Sequence, residues 1–254
     1  MRYDKNALVI HDLAFHFVPE SMHLSFRIWY RFLIPRLVRQ AKYLFAISDT
    51  VRNEISRVFE TGRKIEIAYN GIRNLLIPVR SSFQSPGPYI LHVGSFNRRK
   101  NIRNLIKAFL SESQLFLNYK LVFIGAKSSW LTADIPEDHS SILVHSSCSD
   151  AELAEWYQHA SCVVSLSEYE GFNLPVAEAI SMGCRVVCSD IPVHRELYAD
   201  RVDFCHPFNL SEISGTLLRC LQNGKQEENI NWPDFLSYSF SAQKIISTIG
   251  KNEN

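Results

Sequence analysis

No uninterrupted apolar stretch approaches the roughly 20 residues of a membrane span. The opening residues, MRYDKNALVIHD, carry acids where a secretory signal needs a clean apolar core, so a leader peptide is not expected there. The six cysteines, at 148, 162, 184, 188, 205 and 220, form no Cys-x-x-Cys pair, and several sit in apolar runs such as SCVVSLS. That pattern points to buried, reduced thiols in a cytoplasmic protein rather than to a disulfide framework or a zinc site. A basic–aromatic nucleic-acid motif is also missing, which sets nucleic acid aside as a partner.

What is present suits a folded chain: 46% hydrophobic and 21% charged residues, in a length that permits one large core or two modest ones. The net charge of +1 hides an asymmetry: residues 1–107 hold 18 Lys and Arg against 7 Asp and Glu, while residues 108–254 hold 9 against 19. A basic front suits an anionic ligand or an anionic membrane surface.

From Tyr89 onward, YILHVGS, YKLVFIG, SILVHS, SCVVSLS and CRVVCSD are apolar on consecutive residues, as buried parallel strands are. Helices fit between them. Ile102, Leu105, Ile106, Phe109 and Leu110 recur at helical spacing, Ser149 with Glu152 makes a capping box, and Pro175 and Gly183 bracket another helix. The alternation predicts an α/β fold with a doubly wound parallel sheet.

The front reads differently. ALVIHDL and YLFAIS are strands, and the aromatic, Arg-bearing segment 21–45 between them is expected to break at Pro35. The expected division is a partial Rossmann-like N-terminal domain over 1–77 and a Pro- and Ser-rich linker over 78–88. A ligand-binding domain follows over 89–233, then a closing helix over 234–250.

Two constellations carry chemistry. SEYEGFNLPVAEAISMG follows a predicted strand, and ligands bind at the carboxyl ends of strands in such sheets. Glu170 lies in that loop and Glu178 in the helix after it, so the two can meet one elongated ligand at two places. Gly171 permits close backbone approach, and the N–H groups of Phe172, Asn173 and Leu174 at a helix start suit an anion. In HVGSFNRRKN, a strand ends at Gly94 and Arg98, Arg99 and Lys100 precede a helix, which suits a diphosphate.

These residues resemble the signature of glycosyltransferase family four, which is retaining and of GT-B fold. Glu170, Gly171, Phe172, Leu174, Pro175, Glu178, Ala179 and Gly183 match its EGFGLP…EA…G pattern, with Asn173 in place of a glycine and Arg185 in place of a proline. The resemblance implies that Glu170 contacts donor-sugar hydroxyls and Glu178 the nucleotide ribose. It implies that Arg99 and Lys100 stabilise the leaving diphosphate and that His11, in IHDLAFHFVPE, faces the cleft near the transferred sugar. Asn70-Gly71 and Glu196, in IPVHREL, also match recurring family positions. The likeness runs from about residue 7 to residue 250 and does not cover the family's glycine-rich opening, so much of the acceptor-side domain is expected to be lacking.

The resemblance therefore implies a retaining, metal-independent hexosyl- or mannosyltransferase of polysaccharide biosynthesis. It would have no cofactor beyond a nucleotide diphospho-sugar co-substrate (GDP-mannose-like) and would use a glycan or lipid-linked acceptor. No Asp-x-Asp pair is present, in keeping with catalysis that uses no metal. The alternative is a non-catalytic or truncated nucleotide-sugar-binding chain working with a complementing N-terminal subunit; a sugar-nucleotide epimerase is a third reading that the two-glutamate signature disfavours. Arg27 and Arg31 share a helical face, followed by Arg36, Arg39 and Lys42, so peripheral contact with the inner face of a membrane is weighed against a plain solvated helix.

Overall fold

The structure is a computed structural model, described for residues 6–72, 83–126, 135–136, 139–223 and 236–250. The linker expected at 78–88 and the end of the domain expected over 89–233 lie partly outside these residues.

A six-stranded parallel sheet forms the larger layer. Its strands are β4 (Tyr89–Val93), β5 (Lys120–Ile124), β6 (Ile142–His145), β7 (Cys162–Ser165), β8 (Val186–Ser189) and β9 (Asp203–Cys205), in the order β6-β5-β4-β7-β8-β9. Consecutive apolar residues make sense here because the two faces are packed separately. Ile90, Cys162, Val164 and Val187 meet Leu105, Phe109, Ile213 and Leu217 of helices α4 (Ile102–Ser111) and α9 (Leu210–Gln222). Tyr89, Leu91, Val163 and Val186 face Leu153, Tyr157, Val176 and Ile180 of α6 (Asp150–His159) and α7 (Leu174–Ser181). The helix α5 (Ser113–Asn118) leads into β5. The predicted capping box opens α6, and Gly183 follows α7 at a φ of +73°. Five of the six thiols are buried, and the Cys162 and Cys220 sulfurs lie 3.2 Å apart between β7 and α9.

The smaller sheet is also parallel, in the order β1-β2-β3: β1 (Ala7–Ile10), β2 (Tyr43–Ala46) and β3 (Ile65–Ile67). Between β1 and β2 come a one-turn helix α1 (Ala14–Phe17) and the long α2 (Leu24–Gln40); α3 (Asp49–Phe59) joins β2 to β3. The helix α2 runs unbroken through Pro35, correcting the expected break. The ring costs one amide donor, to the carbonyl of Arg31, and Arg31 sits on an exposed turn where solvent can take that donor's place.

The last helix, α10 (Tyr238–Gly250), returns to the smaller sheet. Ile245 and Ile249 pack on Tyr43, Phe45 and Ala68, the Tyr43 hydroxyl donates to the Ile249 carbonyl at 3.2 Å, and Lys244 pairs with Glu66 at 3.2 Å. The remaining helix, α8 (Pro192–Tyr198), packs against α3 and contributes Tyr198 to the core near the junction. One apolar cluster runs across the junction, from Ile10, Leu13 and Val51 to Phe172, Val176 and Tyr198.

Candidate active site

The loop from β7 to α7 lies at the carboxyl ends of the strands, and its centre is Glu170, 6% exposed. A carboxylate so far from water requires partners, and two cations supply them. Arg99 Nη1 donates to Glu170 Oε2 at 2.7 Å and Lys100 Nζ to Oε1 at 2.5 Å. Both arrive from a 3-10 turn over Arg98–Lys100, just before α4, whose cap residue Asn101 is left-handed at a φ of +54°. Arg99 also donates to the Tyr169 carbonyl at 2.9 Å, and its own carbonyl accepts from the Glu168 amide at 2.8 Å. Burial opposes ionisation of Glu170, but Lys100 and Arg99 outweigh it and hold the carboxyl down at about 2. Two cations against one acid leave this cluster a local excess of one positive charge.

Gly94 follows β4 at a φ of +143°, a conformation that glycine adopts more readily than other residues, and it lies beside the Lys100 ammonium, whose Nζ a Cβ there would meet at 3.8 Å. The sequence thus places glycine where backbone and cation meet. Glu178, one turn into α7 and 2% exposed, accepts from the Tyr157 hydroxyl at 3.2 Å. Phe172 and Asn173 are buried and Leu174 is partly buried.

Asn173 is the N-cap of α7 at a φ of +73°, a left-handed conformation that asparagine tolerates better than most residues. Its amide nitrogen lies 2.9 Å from Ser165 Oγ and 2.8 Å from His194 Nε2. Burial lowers the pKa of His194 to about 4, so the ring is neutral at pH 7; Nδ1 donates to the Ser189 carbonyl at 2.8 Å and Nε2 accepts from Asn173. Burial likewise lowers His92, on β4, to about 4.

The N-terminal sheet meets this loop directly. The His11 side chain is exposed, and its backbone lies so close to Gly171 that a Cβ at 171 would fall 1.8 Å from the His11 carbonyl oxygen. Asp12 accepts from the Ala14 amide at 3.0 Å and so shapes the turn. Tyr169 reaches across, accepting from the Leu13 amide at 2.8 Å and donating to Glu54 at 2.7 Å. Ser48, the N-cap of α3, donates to the Gly171 carbonyl at 2.9 Å.

Glu196 on α8 accepts from the Asp49 and Thr50 amides, each at 2.7 Å, and from the Thr50 hydroxyl at 2.6 Å. Burial and this carboxylate push the Tyr69 phenol up to about 12. The roles of Tyr169, His194 and Tyr198, whose hydroxyl donates to the Phe172 carbonyl at 2.7 Å, are not evident from the sequence. Tyr169 adjoins the two-glutamate signature, which could have flagged it; nothing local marks the other two.

Residues 77–231 match the family described as Glycosyl transferases group 1. The chain belongs to that family. Among relatives of this group 1 glycosyltransferase is the O-antigen chain mannosyltransferase B of Escherichia coli, 26% identical over 96% of this chain and 71% of that protein. A second is the GDP-mannose:cellobiosyl-diphosphopolyprenol alpha-mannosyltransferase of Komagataeibacter xylinus, 29% identical over 65% of this chain and 42% of that protein. Among solved structures, WaaG, a glycosyltransferase involved in lipopolysaccharide biosynthesis, superposes with a TM-score of 0.65 at 16% identity, covering 94% of this chain and 69% of that one. The fold is GT-B-like, with Arg99, Lys100 and Glu170 on the six-stranded side and His11 on the other.

Proposed function

We propose that the chain is a retaining, metal-independent mannosyltransferase that moves mannose from GDP-mannose to a lipid-linked glycan. The observation that carries the reading is the Arg99–Lys100–Glu170 cluster at the carboxyl ends of the parallel strands. Arg99 and Lys100 neutralise charge growing on the departing diphosphate, without a metal or other cofactor. Glu170, held ionised, accepts hydrogen bonds from the sugar hydroxyls, and Glu178 takes the ribose. The backbone around Gly94, Gly171, Phe172, Asn173 and Leu174 lines the approach, and His11 faces the transferred sugar from the opposite sheet. The mannosyl donor is supported by the names of the two relatives.

The acceptor reading has its own support on α2. Leu24, Phe26, Ile28, Trp29 and Phe32 are each between 50% and 62% exposed. The helix carries Arg27, Arg31, Arg36 and Arg39 and no acid. A cleft of about 350 Å³ lined by His16, Arg31, Arg39, Phe59 and one acid, Glu60, opens beside it. Apolar side chains interleaved with cations suit an anionic lipid surface at the inner face of a membrane. No helix among the described residues is long and apolar enough to cross a membrane.

A second reading is a nucleotide-sugar-binding chain that works with a separate N-terminal subunit. It is favoured by β1, which pairs only with β2 among the described residues and leaves an open sheet edge. Calorimetry with GDP-mannose, followed by transfer of labelled mannose to polyprenyl-diphosphate-linked glycan, tests both. Binding with transfer supports the first, binding without transfer the second, and no binding by the folded chain sinks both.

A further inference from the structure

Helix α8 touches both halves of the molecule. On one side Tyr198 Oη donates to the Phe172 carbonyl at 2.7 Å and lies 3.1 Å from that of Asn173, while His194 holds the Asn173 side chain. These bonds fix the backbone that follows Glu170. On the other side Glu196 occupies the start of α3, where the first amides of a helix have no partner within the helix and the dipole favours an anion. The ring closes because Ser48, the residue that caps α3, donates to Gly171 in the same loop.

The apolar cluster across the junction is held by a non-directional force. The three hydrogen bonds at Glu196 are directional, and they fix where α3 sits relative to the loop. We propose that Glu196 is a positioning residue: through α8 it sets the register between the N-terminal sheet and the Glu170 loop, and so aligns the acceptor side with the bound donor. This rests on the reading of that loop as the donor site.

Everything assigned to the donor except His11 belongs to the six-stranded side, so loss of Glu196 leaves donor affinity nearly intact. Transfer needs both sides in register, and a misplacement of the order of 1 Å costs up to about 100-fold in rate. Glu196→Ala is expected to lower kcat about 10- to 100-fold while the dissociation constant for GDP-mannose stays within about twofold. Glu196→Gln keeps one acceptor oxygen and is expected to fall between Glu196→Ala and the parent chain. Hydrogen exchange should quicken at the Asp49 and Thr50 amides and along the first turn of α3 in both variants, while Gly171–Asn173, still held by Tyr198 and His194, stay protected.

Equal loss of donor affinity and turnover would overturn the proposal, since Glu196 would then be touching the donor or merely holding the fold. Unchanged turnover would overturn it as well. Should Glu196→Ala fail to fold, Glu196→Gln and Ser48→Ala carry the same test. A parent chain that binds no nucleotide sugar would instead refute the donor-site reading. The exchange measurement then still decides the linkage, because unaltered exchange over the first turn of α3 breaks it.

Discussion

The two sheets treat charge in opposite ways. The six-stranded half draws the ions of its candidate site inside: Lys100, Glu170 and Glu178 are all under 10% exposed. The three-stranded half sets its arginines on α2, among exposed aromatic and aliphatic side chains. An ion kept from water interacts strongly and holds its geometry, which suits a group that must meet charge developing on a ligand. An ion left in water acts at longer range and weakly, which suits adhesion to an extended surface.

The sharpest way to break this contrast is to remove a buried ion. Lys100→Ala leaves Glu170 with one cation, and transfer is expected to fall by about 1000-fold, a loss of the size seen when a preorganised electrostatic contact to a transition state is deleted. Glu170→Gln leaves both cations uncompensated and should also lower unfolding stability by about 3 kcal/mol, read from denaturant midpoints. Equal effects from Arg36→Gln, on α2, would erase the distinction between the halves.

A smaller effect is expected at Glu178. Replacement by Gln keeps the shape and removes the charge, so donor affinity should weaken about 10-fold, as for one charge-assisted hydrogen bond. Turnover at saturating donor should change little, because the ribose lies away from the bond that breaks. A fall confined to turnover would reassign the residue.

Acid tests the two buried histidines. His92 and His194 are held neutral, lowered from 6.5 to about 4, so the unfolded chain binds protons that the native chain refuses. Unfolding stability should therefore fall as pH drops from about 6.5 to about 4, with a slope approaching about 1.4 kcal/mol per pH unit for each ring. The contribution of Glu170, whose folded value is depressed, is present above 4.5 and is lost as pH falls toward about 2. His194→Gln should flatten the upper window. A flat profile between 6.5 and 4 would contradict the burial of both rings.

The smallest effect on chemistry belongs to α2. Trp29→Ser with Phe32→Ser should abolish flotation with anionic liposomes yet leave transfer to a water-soluble acceptor within about twofold, as surface changes usually do. Parent chain that floats equally with neutral and anionic vesicles would remove the role of the arginines.

Much of the fold could be read from the chain because buried parallel strands announce themselves locally. YILHV, KLVFI and CVVS are apolar at every or nearly every position, and each became a strand. The three-residue β9 carries too short a pattern to register. Pro35 misled because the local rule against interior proline ignores an exposed turn that tolerates it.

At the site, Glu170, Arg99 and Lys100 were legible through spacing within two short motifs, and the structure brings these three together. Glu196 and His194 were not legible in the same way. Glu196 meets amides 146 and 147 positions away, and His194 acts through a residue 21 positions away, separations at which periodicity and capping rules are silent.

Gly171 has a mechanical consequence. With the His11 carbonyl where a methyl group would be, the two halves have no clearance at that point. A single added carbon at 171 would act as a spacer, pushing the Glu170 loop off the turn that follows β1.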